Sequence, residues 1–160
     1  MPVWATHQDS ILIATIVYSS HFTSFQESTT CKICPYNWHL YEKKCYWISR
    51  EKLTWNQAMK NCTAKLSQMV VIQDQREVAF LQNIIKANKM LWIGLQRTSP
   101  ERKWMWVDGS PYDNELSGSA ETNACGKLNG NQIISDACIN IANWICEKKA
   151  LFLYGTQPQH

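Results

Sequence analysis

The spacing of hydrophobic residues changes character near residue 90. Before that point two helical patterns alternate with short apolar runs. Lys44-Cys45-Tyr46-Trp47-Ile48 is aromatic and β-prone, which predicts a strand. Thr54-Trp55-Asn56-Gln57 has the form of a capping box, a hydroxyl cap with an amide three residues on. Trp55, Ala58, Met59 and Cys62 then recur at the spacing of one helix face, which turns Cys62 into the core. Met69-Val70-Val71-Ile72 predicts a short apolar strand, and Asp74-Gln75-Arg76-Glu77 a second capping box. Val78, Leu81 and Ile85 mark the buried face of a second helix. From Met90 onward only short β segments follow: 91–95, 104–107, 125–128, 133–134 and 144–146. Helices early and strands late predict an α+β fold.

The two ends lack this patterning. Residues 1–30 contain no Lys or Arg, and their one apolar run is Ile11 to Tyr18. As a helix that run rises about 12 Å against a bilayer core of about 30 Å, so it does not span a membrane. It is short enough for the apolar part of a secretory leader, with Ser19-Ser20 after it, but Asp9 and no positive charge precede it. A displaced start or a shortened isoform fits the stretch equally. His21 to Thr30 is polar and rich in Ser and Thr, as a stalk or linker is. The expected organisation is 1–30 as stalk, linker or atypical start, 31–147 as the folded domain and 148–160 as a tail.

Composition narrows the class. The chain has 160 residues, 45% hydrophobic and 18% charged, which suits one packed domain rather than a disordered chain. A net charge of +3 is too mild to suggest a nucleic-acid surface. Eight Trp and seven Cys point to an oxidising compartment, and so outside the cell. Seven choices of the odd cysteine times 15 pairings of the other six leave 105 arrangements, so spacing alone does not set the connectivity. Cys31-Lys32-Ile33-Cys34 has the form of a redox pair or half a zinc site, but a second close pair of ligands is missing. His7, His21, His39 and His160 never approach one another at ligand spacing. Structural disulfides are the simpler reading, with no metal or cofactor.

Several motifs then occur in a telling order. Trp92-Ile93-Gly94-Leu95, Trp104-Met105-Trp106-Val107-Asp108-Gly109-Ser110, and the ending with Cys125, Cys138 and Trp144-Ile145-Cys146 resemble a C-type lectin-like domain. Cys34-Pro35-Tyr36-Asn37-Trp38, followed by Lys44-Cys45-Tyr46-Trp47, resembles the long form of that domain in killer-cell lectin-like receptors. The resemblance covers about residues 31–147. It implies two helices, antiparallel sheets and a long loop region, stapled by disulfides Cys34–Cys45, Cys62–Cys146 and Cys125–Cys138. Cys31 is then spare and a candidate for an interchain disulfide. Trp92, Trp104, Trp106 and Trp144 are expected to pack in the core.

Sugar-binding members of the family hold calcium through a Glu-Pro-Asn or Gln-Pro-Asp tripeptide and a Trp-Asn-Asp ending. Here the stretch from Tyr112 to Ala124 has no Pro, and Ile133, Ile134 and Ser135 occupy the second slot. Two apolar side chains and a hydroxyl do not replace an amide and a carboxylate on a hard cation. Asp136 lies one residue out of register. The resemblance therefore implies an immune-receptor-type domain that meets a protein ligand, MHC-class-I-like or lectin-like, without calcium.

The candidate ligand-binding residues are Arg97, Glu101, Arg102 and Lys103 in one loop and Tyr112, Asp113 and Glu115 in the next. Arg and Tyr combine contact area with directed hydrogen bonds. Expected partners are that cell-surface ligand and a second chain, as homodimer or as heterodimer with a related receptor. The expected place is the extracellular face of the plasma membrane as a type II receptor, through a membrane segment absent from this chain, or secretion if the start is genuine. No nucleophile–base pairing suggests an enzyme. A calcium-independent carbohydrate-binding lectin is the alternative. Asn61-Cys62-Thr63 is a glycosylation sequon whose middle residue is a framework cysteine, so oxidation competes with modification at Asn61.

Overall fold

A capped helix fixes the first half of the fold. The computed structural model describes residues 30–86, 88–98, 102–119 and 122–155. In chain order the elements are β1 (Cys31–Ile33), β2 (His39–Tyr41), β3 (Lys44–Ile48), α1 (Trp55–Ala64), β4 (Gln68–Met69), α2 (Gln75–Ile84) and β5 (Leu91–Thr98). After them come β6 (Lys103–Trp106), β7 (Pro111–Tyr112), β8 (Ala124–Asn129), β9 (Gln132–Ala137), β10 (Asn143–Lys149) and β11 (Leu151–Leu153). Lys32–Leu151 form one compact unit; outside it, residues 30–31 and 152–155 are described.

Thr54 accepts from the Gln57 amide while the Gln57 side chain accepts from the Thr54 backbone, closing the capping box at the start of α1. The helix buries Trp55, Ala58 and Cys62 and leaves Met59 half-buried. The second capping box forms only in part. Asp74 accepts from the Arg76 and Glu77 amides, which holds its carboxyl below the ordinary range, but the Glu77 side chain turns inward.

Strands run in the order β2-β3-β10-β5-β6-β7, with β4 added to β10, and with β8 paired to β5 and to β9. All of these pairings are antiparallel except β10 with β5, where Asn143 meets Leu91 and Trp144 meets Trp92. The ladder of β5 with β8 shifts register between Trp92 and Gln96. Gly94 lies in that shift, and a Cβ there would stand 2.7 Å from Val107 Cγ2 and 2.9 Å from the Met69 carbonyl. Only glycine lets the two backbones approach so closely. The approach is used: Gly94 donates to the Val70 carbonyl, and Val107 donates to the Gly94 carbonyl.

The core has an aliphatic half and an indole half. Val70, Leu81, Leu91, Ile93, Leu95, Leu128 and Ile145 pack together in the first. Trp55, Trp92 and Trp144 surround the Cys62–Cys146 disulfide in the second. Trp55 Nε1 donates to the Ile93 carbonyl at 2.8 Å and Trp92 Nε1 to the Leu53 carbonyl at 3.0 Å. Trp104 and Trp106 are also buried. Three disulfides staple this arrangement: Cys34–Cys45, Cys62–Cys146 and Cys125–Cys138. The second closes a separation of 84 residues, worth about 4–5 kcal/mol in the chain-entropy account, against about 3 for each of the shorter loops.

The folded unit runs beyond Glu147, where the sequence reading ends it. β10 continues to Lys149, pairing Lys148 and Lys149 with Cys45 and Lys44, and Ala150 is buried. The 148–160 tail thus begins with strand. Cys34 is engaged with Cys45, so Cys31 and Cys34 do not form a redox pair.

One buried polar cluster crosses the core. Lys44 Nζ donates to Glu77 at 3.1 Å, to Glu147 at 3.0 Å and to the Val71 carbonyl at 3.2 Å. Tyr46 and the Gln73 amide also donate to Glu77, and Gln68 donates to Glu147. Both carboxylates are buried. Burial works against the Lys44 charge, but the two carboxylates outweigh it and hold the ammonium above its ordinary value. That contribution to stability is complete below about pH 10.5 and is lost only as pH rises through the folded-state value.

Two predictions follow from these constraints. Lys44→Met leaves two carboxylates buried without a counter-charge, and is expected to cost about 3–5 kcal/mol in urea unfolding. Adding Glu77→Gln and Glu147→Gln to it restores most of that loss; a freely tolerated Lys44→Met would refute the ion-cluster account. Replacing both Cys62 and Cys146 by Ala is expected to cost about 2–5 kcal/mol, more than removing either shorter loop, as read by thermal unfolding of the three variants.

Candidate functional site

Six of the seven residues proposed from sequence line one open concavity. The hairpin of β5 and β6, closed by β7, positions them. Arg97 stands on β5, Lys103 on β6, Tyr112 on β7, Arg102 in the turn before β6, and Asp113 and Glu115 in the loop after β7. They surround a concavity of about 570 Å³. Glu101 lies outside the described residues.

The floor of the concavity is aromatic. Trp104 pairs with Tyr112 across β6 and β7, and the Arg97 guanidinium lies 5.3 Å from the Trp104 ring centre. Tyr112 meets Trp106 edge-on at 5.7 Å, which fixes the ring under the loop. Arg102, Lys103, Asp113 and Glu115 are exposed at the rim, so both signs of charge face solvent over an aromatic base. Arg102 has φ 50°, a left-handed backbone that costs a side-chain-bearing residue about 1 kcal/mol. The turn after β6 is held by Asp108, which accepts from the Ser110 amide and hydroxyl. Those bonds keep its carboxyl below the ordinary range.

The loop beyond Glu115 is tied to β9. Gly118 bridges Ser135, with Ser135 N donating to the Ser117 carbonyl and Ser119 N donating to the Ser135 carbonyl. Gly118 has φ 120°, and a Cβ there would collide with the Ser135 carbonyl oxygen. Ser135 is buried and its hydroxyl donates to the Ser119 carbonyl at 2.8 Å. The nearby carboxylate, Asp136, accepts from Lys127, from Asn140 and from the Ala137 amide. Burial pushes its carboxyl up, but these three donors outweigh burial and hold it below the ordinary value. The buried Lys127 ammonium lies 4.2 Å from the Trp92 ring centre. Ile133 and Ile134 carry no side-chain oxygen, and the Ser135 hydroxyl is already engaged with Ser119. Among the described residues no three His, Cys, Asp or Glu side chains converge as a metal site.

The remaining candidates lie elsewhere. Cys31 is exposed and outside the three disulfides. Asn61 is a half-buried residue of α1, its Oδ1 shielded from solvent. Sequence reasoning did not find the Arg97–Trp104 stack, the Lys127–Asp136 pair or the zipping of residues 117–119 onto β9. The alternation of β6, Lys-Trp-Met-Trp, was the one signal that set Trp104 beneath the loops.

Comparison with known proteins agrees with this architecture. The Lectin C-type domain model matches residues 51–148. The human killer cell lectin-like receptor subfamily F member 1 is 36% identical over 118 residues, 72% of this chain and 51% of that protein. The rat killer cell lectin-like receptor subfamily B member 1B allele B is 32% identical over 131 residues, 79% of this chain and 59% of that protein. The chain thus spans about half the length of the curated relatives it matches. Among solved structures, the mouse scavenger receptor C-type lectin carbohydrate-recognition domain superposes with a TM-score of 0.64 at 29% identity, covering 73% of this chain and 98% of that one. With the long-form amino-terminal cysteine pair, the order of strands and the three disulfides all present, the chain belongs to the C-type lectin domain family and is of the killer cell lectin-like receptor kind.

Proposed function

We propose that the domain is the ligand-binding module of an immune receptor, not an enzyme, and that it grips a cell-surface protein without calcium. The ligand is an MHC-class-I-like or lectin-like protein. The observation that carries the reading is the concavity of Arg97, Arg102, Lys103, Tyr112, Asp113 and Glu115 over Trp104. It offers a desolvated aromatic base ringed by charges of both signs, the composition that protein interfaces favour. Glu101 completes the loop in sequence.

The slot that would bind calcium supports the same reading. Lys127 supplies a positive charge to Asp136 from within the chain, and the Ser135 hydroxyl is engaged with Ser119. Exposed Cys31 is the proposed link to a second chain, as homodimer or with a related receptor chain. The proposed setting is the extracellular face of the plasma membrane, with type II orientation. No helix among the described residues is long and apolar enough to cross a membrane.

Three measurements test this reading. Surface plasmon resonance against a panel of MHC-class-I-like and lectin-like ectodomains should give a binder whose affinity is the same in calcium and in chelator. On that binder, Tyr112→Ala should cost about 2 kcal/mol or more and Arg102→Glu with Lys103→Glu at least as much. Equal binding by these variants would move the interface off the concavity. A glycan array should stay blank, with a melting temperature that calcium does not change; a calcium-dependent, saturable sugar signal would overturn the proposal.

Asp136→Asn should destabilise the domain by about 1.5–3 kcal/mol at neutral pH, because it strands the Lys127 ammonium. The Asp136 carboxyl is held low in the fold, so its contribution is present above about pH 3.8 and lost as pH falls below. The melting-temperature gap between variant and parent should therefore close on acidification. A gap that does not change with pH would exclude the ion pair as its cause.

A further inference from the structure

A second concavity, of about 780 Å³, shares no residue with the first. It is a groove built by the start of β2, by β3 and the turn after it, by α1, and by the chain leaving α2. Trp38 and Trp47 stand half-buried in its wall. Each indole carries an ammonium. Lys148 Nζ lies 4.2 Å from the Trp38 ring centre, and Lys65 Nζ lies 4.5 Å from that of Trp47. Lys148 Nζ also donates to the Lys65 carbonyl at 3.2 Å, so cations are held in place along this wall.

The charge of the groove is one-sided. Arg50, Lys65, Lys86 and Lys89 line it, and Glu51 is the one carboxylate among its lining residues. Its lining alone thus carries the same excess as the whole chain, +3. Lys44, Arg76 and Lys127 each meet a carboxylate within the fold, whereas these four make no ion pair among the described residues. Their counter-charge has to come from outside. A cleft lined by one sign of charge over low-dielectric walls focuses the field and gathers anions.

We infer that this groove docks an acidic, extended segment of a partner protein, at a place separate from the concavity over Trp104. Carboxylates of the segment meet Arg50, Lys86 and Lys89, which are exposed and need no rearrangement to pair. Apolar side chains between those carboxylates pack on the indole faces and on Ile48 and Ile84. The volume holds a few side chains rather than a folded surface. A flat layer of anionic headgroups reaches the exposed cations but not the half-buried indoles, so the groove favours a chain that enters it.

The test titrates the isotope-labelled secreted chain with a short synthetic peptide alternating Glu and Leu, following the indole N–H resonances by NMR. Saturable shifts at Trp38 and Trp47 are expected, weakening as salt is added. Lys86→Glu with Lys89→Glu should weaken binding about tenfold or more at an unchanged melting temperature, because both residues are exposed. Arg102→Glu with Lys103→Glu should leave it unchanged. The site is lost if neither indole shifts saturably, or if the Lys86 and Lys89 changes have no effect. Equal binding of a Lys-Leu peptide would overturn the acidic character of the partner, and equal binding of a Glu-Ser peptide the role of the indole wall. Tighter binding to phosphatidylserine vesicles than to the peptide, removed by the Lys86 and Lys89 changes, would reassign the groove to a membrane and overturn the protein partner.

Discussion

The lysine ammonium held between two buried carboxylates ties together more of this domain than any other polar contact. Lys44 comes from β3, Glu77 from α2, Glu147 from β10, and Gln68 joins from β4. A buried ion cluster is not in itself a large source of stability, because desolvation takes back much of the Coulomb gain. Its effect is on arrangement. An unpaired carboxylate in this core would be prohibitive, so β3, β10 and α2 can assemble only in the register that brings all three charges together. Because the cation is tethered to the chain, its occupancy does not depend on any ion concentration outside.

Around that cluster, the two halves of the core depend on backbone proximity. Gly94 brings β5 against the Met69–Val70 segment, and the Val107 amide docks on the carbonyl of Gly94 itself. That contact seats the hairpin of β5 and β6, and the hairpin in turn carries Arg97, Arg102 and Lys103. The candidate protein-binding surface therefore rests on a glycine some distance along the strand from it.

Much of this was readable from the residues. The capping box at Thr54 and the inward turn of Cys62 follow from local spacing, and local spacing is what a helix obeys. The second capping box misled, because Glu77 is drawn away by Lys44 and Tyr46, which are 33 and 31 positions distant in sequence. No local pattern announces such a partnership. β2 and β7 escaped notice because they are very short, and β7 begins with proline. Of the anticipated 69–72 strand only Met69 joins the ladder, together with Gln68 before it; Val70 reaches Ile145 and Gly94 through single bonds. The charged loops were legible as surface, but the stacking of Arg97 on Trp104 beneath them is tertiary.

The Cys62–Cys146 bond also has a mechanical meaning for a domain pulled by its ends. Tension applied along the chain passes from α1 to β10 through the sulfur–sulfur bond and bypasses everything between them. The Cys34–Cys45 bond short-circuits the first turn in the same way. Only the residues before Cys34, the stretch from Cys45 to Cys62 and the residues after Cys146 can lengthen under load. The hairpin of β5 and β6, the concavity it carries and the loop zipped to β9 all lie inside the closed segment, on a part of the chain that an end-to-end pull cannot draw out.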